Sequence, residues 1–160
     1  MMKKILLIMS LLTTSFMCIG QGQKYTFIEA GGSSTIVALN FDMRFNKDSR
    51  EGLGLRAGVG NTFGLFDSEA IKDIVVFPIG LNYIYGKKRS ALVFGINTSI
   101  ALINDKKGGE SSFIIAPEVG YRFRPLERGF AFHASYSPLF NTVDGAMPFW
   151  FGIGLGYSWK

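Results

Sequence analysis

The final stretch of the chain, Pro148 to Lys160, reads PFWFGIGLGYSWK. Phe149, Phe151, Ile153, Leu155, Tyr157 and Trp159 form one unbroken apolar and aromatic face. Past Trp150, the positions between them are Gly152, Gly154, Gly156 and Ser158, almost without side chain. Successive side chains of a strand point to opposite sides, so an apolar period of two is the mark of a strand with one greasy face. Its length and its terminal aromatics suit a strand that crosses a bilayer, which needs ~9–11 residues.

The same alternation recurs upstream. Segments near 25–30, 35–45, 53–60, 74–85, 91–103, 112–123 and 130–140 each put apolar residues on one face and small or polar residues on the other. With the tail they make eight. Compact turns at 46–50, 86–90 and 124–129 alternate with longer connections at 61–73, 104–111 and 141–147. An even strand count with short turns on one side and longer loops on the other is the habit of bacterial outer-membrane barrels. Pro78 and Pro117 fall inside strands, where each removes a ladder hydrogen bond, and a bulge is expected at both.

Alternation alone also fits a soluble eight-stranded barrel with its apolar face inward. Two features favour the apolar face outward. Short turns belong at the periplasmic side, so the second, fourth, sixth and eighth strands end there. Those ends carry Phe45, Tyr83, Tyr85, Tyr121, Phe123, Tyr157 and Trp159 on the apolar face. Rings gathered at one level form an interfacial girdle, where an amphipathic ring is best placed. The opposite face is rich in glycine, at Gly54, Gly58, Gly80, Gly95, Gly120, Gly152, Gly154 and Gly156. Facing water, these would weaken the strands for no return. Facing the interior of a narrow barrel, they make room for larger side chains across the way.

The chain of 160 residues bounds one domain. Residues 1–20 read as a secretory signal peptide, with Lys3 and Lys4 before the apolar run Ile5 to Leu12 and Gly20 at the cut. Residues 21–160 are then the barrel domain. Cys18 offers the rival reading of a lipidated cysteine, although Met17 is not the small residue that lipoprotein processing wants. Cleavage after Gly20 removes the one cysteine, which leaves no thiol for a disulfide or metal. It also removes Lys3 and Lys4, lowering the formal net charge of +5 to +3. So modest a balance is no signal for nucleic acid.

The chain resembles the small outer-membrane β-barrels of the OmpA/OmpX-like class. The residues behind this are the signal peptide, the strand from Gly52 to Gly58, the strand from Pro78 to Tyr83 and the aromatic-ended tail. The resemblance implies an all-β, eight-stranded antiparallel up-and-down transmembrane barrel in the outer membrane of a Gram-negative cell. It implies outer-membrane lipid as surroundings and the barrel-assembly machinery as reader of the C-terminal strand. Such barrels usually end on the aromatic, and this chain adds Lys160. Members of the class differ widely in role, so no function transfers with the fold.

Candidate lumen positions include Glu29, Asp42, Arg44, Arg56, Glu118, Arg122 and His133. A buried charge is costly unless paired, so these are expected to form a neutral ionic network that fills the barrel, with Arg56 bridging Glu118 or Glu29. His133 and Ser135 make an H-x-S pair that resembles the outer-membrane lipid A 3-O-deacylases. Here no glutamate follows the serine, and Asp144 lies in a loop. The chemistry expected is therefore none: no catalytic residue, cofactor or metal. Phe63, Leu65 and Phe66 are apolar candidates for contact with an extracellular ligand or partner or with lipid, because loops on a rigid scaffold carry binding. The reading is a non-enzymatic barrel with a filled lumen, not a wide porin. The alternatives are a soluble periplasmic barrel holding a small apolar ligand and, more remotely, a lipid A-modifying hydrolase.

Overall fold

The computed structural model describes residues 22–34, 36–62, 71–105, 110–141 and 145–160. It is one closed antiparallel sheet of ten segments: β1 Lys24–Gly31, β2 Val37–Arg44, β3 Gly52–Asn61, β4 Ile71–Tyr85, β5 Ser90–Asp105, β6 Glu110–Phe123, β7 Gly129–Tyr136, β8 Leu139–Asn141, β9 Gly145–Met147 and β10 Phe151–Trp159. From β1 to β7 each strand pairs with the next, and β10 pairs with β7 and β1. β7 and β8 are two halves of one wall strand that both pair with β6, and β9 pairs with β8 as a short outer hairpin. That makes an eight-stranded up-and-down barrel. It is sealed where β1 meets β10, from Lys24 opposite Trp159 to Gly31 opposite Gly152.

Burial is inverted relative to a water-soluble protein. Large apolar side chains such as Ile28, Leu81, Ile96 and Leu155 are about half exposed on the outside. Arg44, Arg56 and Arg124 are among the largest fully buried side chains. Nine residues of β10 extend roughly 30 Å, which at a ~40° tilt gives roughly 23 Å of height. That is close to the ~25 Å apolar band of a membrane barrel.

β1 departs from the pattern of rings outside. Tyr25 and Phe27 point inward with Glu29, and Ile28 points outward. The inward glycines explain how these rings fit. A Cβ on Gly154 would lie 2.8 Å from the Phe27 ring, and one on Gly54 would collide with the Arg44 guanidinium.

The bulges expected at Pro78 and Pro117 do not occur. β4 pairs with β5 without a shift from Asp73 to Tyr85. On its other side the β3–β4 ladder stops at Ala57 opposite Ile79 and resumes in the same register at Gly60 opposite Val76. Pro117 sits in a like gap, between Val119 opposite Tyr136 and Ile115 opposite Phe140, which brings it across from Pro138. In an antiparallel strand the N–H and C=O of one residue face the same neighbour. A proline therefore interrupts one of two ladders, and the intact one holds the register.

The wall is uneven in height. β4, β5 and β6 contain 15, 16 and 14 residues, beyond the ~9–11 that a crossing needs. Parts of the connections expected as loops at 61–73, 104–111 and 141–147 are therefore strand, with the β4–β5 ladder beginning at Ile71 opposite Asp105. At this end the β1–β2 connection folds inward. Gly31 and Gly32 take φ of 74° and 66°, a region that L side chains rarely adopt. They lead into a 3-10 turn, Gly32–Ser34, that acts as a stopper. Trp150 Nε1 donates to the Gly32 carbonyl and Ser99 Oγ to the Ser33 carbonyl, each at 2.9 Å. Beside it Val76, Ala101, Ile114, Ala116 and Leu139 form an apolar cluster against which Trp150 packs. A second one, Ile84, Ala91 and Val93, lies towards the short turns.

Candidate functional site

Between those apolar clusters the inward positions hold two tiers of charge. The first is built around Arg56 of β3, flanked by Gly54 and Gly58. Arg56 Nε donates to Asn40 Oδ1 at 3.1 Å, Nη1 to Glu118 Oε2 at 3.3 Å, and Nη2 to Glu29 Oε2. Glu118 also accepts from Asn97 Nδ2 at 2.8 Å and meets His133 Nε2 at 2.7 Å. His133 Nδ1 faces Glu29 Oε1 at 3.7 Å. The Phe27 ring lies 4.9 Å from the Arg56 Cζ and edge-on to the imidazole.

The second tier centres on Asp42 of β2. Asn82 Nδ2 donates to its Oδ2 at 2.6 Å and Arg122 Nη2 to the same atom at 3.2 Å. Arg44 Nη2 donates to Asp42 Oδ1 and Asn82 Oδ1, and Arg44 Nη1 to the Gly52 carbonyl at 3.0 Å. Tyr25 connects the tiers: its ring stacks on Phe27 at 4.3 Å and lies 4.9 Å from the Arg122 Cζ.

Glu29, Asp42, Arg44, Arg56, Glu118, Arg122 and His133 are thus all buried in one chain of contacts. Three carboxylates against three guanidiniums leave no net charge in the fully ionised pairs. Pairing of this kind offsets the several kcal/mol per ion that burial costs. Asn40, Asn82 and Asn97 add hydrogen bonds to Arg56, to Asp42 and Arg44, and to Glu118. Their inward parity in the alternating segments was the signal that marks them. Tyr25 and Phe27 gave no such signal, because β1 is short and apolar on both faces.

Arg124 was not legible as a lumen residue, because it follows β6 in a compact turn. It is buried at the short-turn mouth. Its Nη1 donates to Gln23 Oε1 at 2.9 Å and to the Arg50 carbonyl, and its Nη2 to the Gly86 carbonyl. Arg50 returns the link by donating to the Leu126 carbonyl at 2.6 Å and to that of Pro125. Glu51 Oε1 accepts from the Gly86 N–H at 2.9 Å. The three short turns are laced together across the mouth. Burial, with Arg50, Arg122 and Arg44 nearby, pushes Arg124 down to about 9, so it remains a cation at neutral pH.

The cavity left between Gln23, Asp42, Arg122 and Arg124 is about 10 Å³, room for no more than about one water. His133 and Ser135 share the inward face, but both imidazole nitrogens face carboxylates. The Ser135 hydroxyl instead accepts from Ser137 Oγ at 3.3 Å. That is not the serine–histidine contact which nucleophilic catalysis needs. Asp144 lies outside the described residues. Among the described residues no group of three or more His, Cys, Asp or Glu is arranged to hold a metal ion.

Outside, Phe45, Tyr83, Tyr85, Tyr121, Phe123 and Tyr157 are exposed at the short-turn ends of their strands, with Trp159 half-buried. Trp159 lies 6.3 Å from both Phe41 and Tyr157, ring centre to ring centre. Exposed rings also gather at the other end, at Phe113, Phe140 and Phe151, the last 5.4 Å from Tyr136. Phe63, Leu65 and Phe66 lie outside the described residues.

Among solved structures, the N-terminal β-barrel domain of Pseudomonas aeruginosa OprF aligns with a TM-score of 0.60 at 13% identity, covering 86% of this chain and 96% of that one. Ail, the attachment invasion locus protein of Yersinia pestis, aligns with a TM-score of 0.45 at 16% identity, covering 86% and 95%. No protein-family model and no curated protein matches the chain. The OprF likeness is one of fold: this chain has the eight-stranded architecture of the small outer-membrane barrels.

Proposed function

We propose that the chain is a non-enzymatic outer-membrane barrel with a sealed lumen, whose role lies at its surface. The observation that carries this is the inverted burial: a wall of half-exposed Leu, Ile, Val and aromatic side chains around a buried ionic network. In water such a wall would be one large aggregation-prone patch, whereas in hydrocarbon it is the solvated face. Residues 1–20 act as the cleaved signal, and the C-terminal strand β10 is what the assembly machinery reads. A lumen crossed by the buried ionic network, with a cavity of only about 10 Å³ among Gln23, Asp42, Arg122 and Arg124, argues against a diffusion porin. An imidazole whose Nε2 is held by Glu118 at 2.7 Å, with no contact to Ser135, argues against the hydrolase.

The interaction surface is the tall side of the wall, where β4, β5, β6 and the β8–β9 hairpin rise past the bilayer. Phe63, Leu65 and Phe66, at the head of the β3–β4 connection, are the proposed contacts. The test is fractionation followed by gel mobility of boiled and unboiled samples. The expected result is sedimentation with outer membranes and a heat-dependent shift, with no solute uptake by liposomes containing the folded protein. Recovery in the soluble periplasm with no shift would overturn the reading.

A further inference from the structure

The charged side chains outside the lumen are sorted by end. The β2–β3 turn sets Lys47 and Arg50 against Asp48 and Glu51 and is balanced. The β4–β5 turn adds Lys87, Lys88 and Arg89 with no acid, and the β6–β7 turn sets Arg128 against Glu127, with Arg124 buried behind them. Lys24 and Lys160 stand at the adjoining ends of the sealing strands, Lys24 opposite Trp159. The short-turn end is therefore clearly basic, while the longer connections carry more acids than bases.

One place on the basic end is concave. Leu126, Glu127, Arg128, Tyr157, Trp159 and Lys160 line an open groove of about 420 Å³ at the foot of the wall. Its floor is apolar and aromatic and its rim carries two cations and one acid. Directly above it runs an apolar track. Tyr157 stands opposite Phe130, Leu155 opposite Phe132 and Ile153 opposite the small Ala134, with Phe130, Leu155 and Ile153 well exposed.

Resting on the outer-membrane reading, we propose that this groove seats one anionic phospholipid of the leaflet at the short turns. The phosphate-bearing headgroup takes Arg128 and Lys160, with Lys24 near. The glycerol and ester region lies against the Trp159 and Tyr157 rings, and an acyl chain follows the Ile153–Leu155–Phe130 track. Charge complementarity selects this occupant, because a cation near an anionic membrane surface contributes ~1 kcal/mol. A neutral lipid would satisfy the track and leave one of the two rim cations unbalanced, since Glu127 offsets only the other. A protein partner would have to displace lipid from the track, and nothing in the groove favours that.

The test uses the mature chain folded into phosphatidylcholine vesicles containing a minor share of phosphatidylglycerol. Tryptophan occurs twice, so Trp150→Phe leaves Trp159 as the sole reporter, and brominated chains are placed on one lipid or the other. The expected result is that brominated phosphatidylglycerol quenches Trp159 beyond its mole fraction. Arg128→Gln with Lys160→Gln should reduce that preference about fivefold per cation removed, while Lys87→Gln with Lys88→Gln should leave it in place. Quenching in proportion to mole fraction would overturn the proposal. So would an equal loss in the Lys87/Lys88 variant, which would mean diffuse surface charge without a seat. If neither brominated lipid quenches Trp159 and no heat shift is seen, the membrane reading itself has failed, and the lipid seat with it.

Discussion

Arg56 on β3 reaches Glu118 on β6 across the lumen at 3.3 Å, and both side chains are sealed from solvent. The pair joins strands that do not touch in the sheet. It sits where Glu29 and His133 converge, so it fixes the relative height of four wall strands at once. Removing one partner leaves the others as uncompensated buried charge.

Arg56→Ala is therefore expected to destabilise the folded barrel by about 3–5 kcal/mol. The measurement is the urea midpoint of the protein folded in lipid vesicles. Arg56→Met combined with Glu29→Gln and Glu118→Gln should recover a large part of that loss, because the charges leave together. A triple variant as unstable as Arg56→Ala would show that packing volume, and not charge, sets the cost.

Leu81 projects from the middle of β4, 50% exposed, beside Leu55 and Ile96 on the flanking strands. Leu81→Arg should cost about 2–4 kcal/mol if hydrocarbon surrounds it. On a water-facing surface the same change would fall within about 0.5 kcal/mol. Folding yield in vesicles and the urea midpoint both read the difference.

The lumen glycines should differ in tolerance according to what an added methyl meets. At Gly156 it meets the Thr26 carbonyl, part of the sealing ladder and unable to move. At Gly95 its nearest neighbours are Asn82 Cβ and the Leu81 carbonyl at 3.1 Å, which a small shift relieves. Gly156→Ala is expected to cost about 1–3 kcal/mol and Gly95→Ala less than about 1 kcal/mol. Equal midpoints for the two variants would contradict this account of why glycine is there.

Arg124→Gln shortens the side chain that ties the Arg50 and Gly86 carbonyls and Gln23. A loss of about 1–3 kcal/mol is expected from acceptors left unsatisfied at the mouth. Cleavage by a protease supplied on the short-turn side should rise at the 46–51 and 124–129 turns, with the heat-dependent gel shift retained. Unchanged protease resistance would mean that the turns hold themselves.

Much of this architecture was open to reading because a closed barrel writes its two environments onto alternate residues. The tail alone distinguished them, with rings at Phe151, Tyr157 and Trp159 against Gly152, Gly154 and Gly156. The charges at Asp42, Arg44, Arg56, Glu118 and Arg122 followed by parity, and Glu29 followed from the cost of placing a charge in hydrocarbon. What was hidden breaks that rule in one of three ways. Tyr25 and Phe27 are apolar rings turned inward, and parity on so short a strand does not choose a side. Arg124 lies past the end of its strand, where no parity applies. At the outer ends of β4–β6 the alternation fades into polar sequence that reads as loop. The unshifted register at Pro78 and Pro117 depends on which neighbour each proline faces, a matter of pairing that a single segment does not contain.

The eight paired positions between β1 and β10 join the first wall strand to emerge during synthesis with the last. Until Trp159 has been made, the growing sheet has two raw margins, each a template for a stray chain. The two margins can satisfy each other only after β10 exists, so closure comes last. A truncation that removes β10 leaves β1 and β7 as open edges and converts a sealed cylinder into an adhesive ribbon.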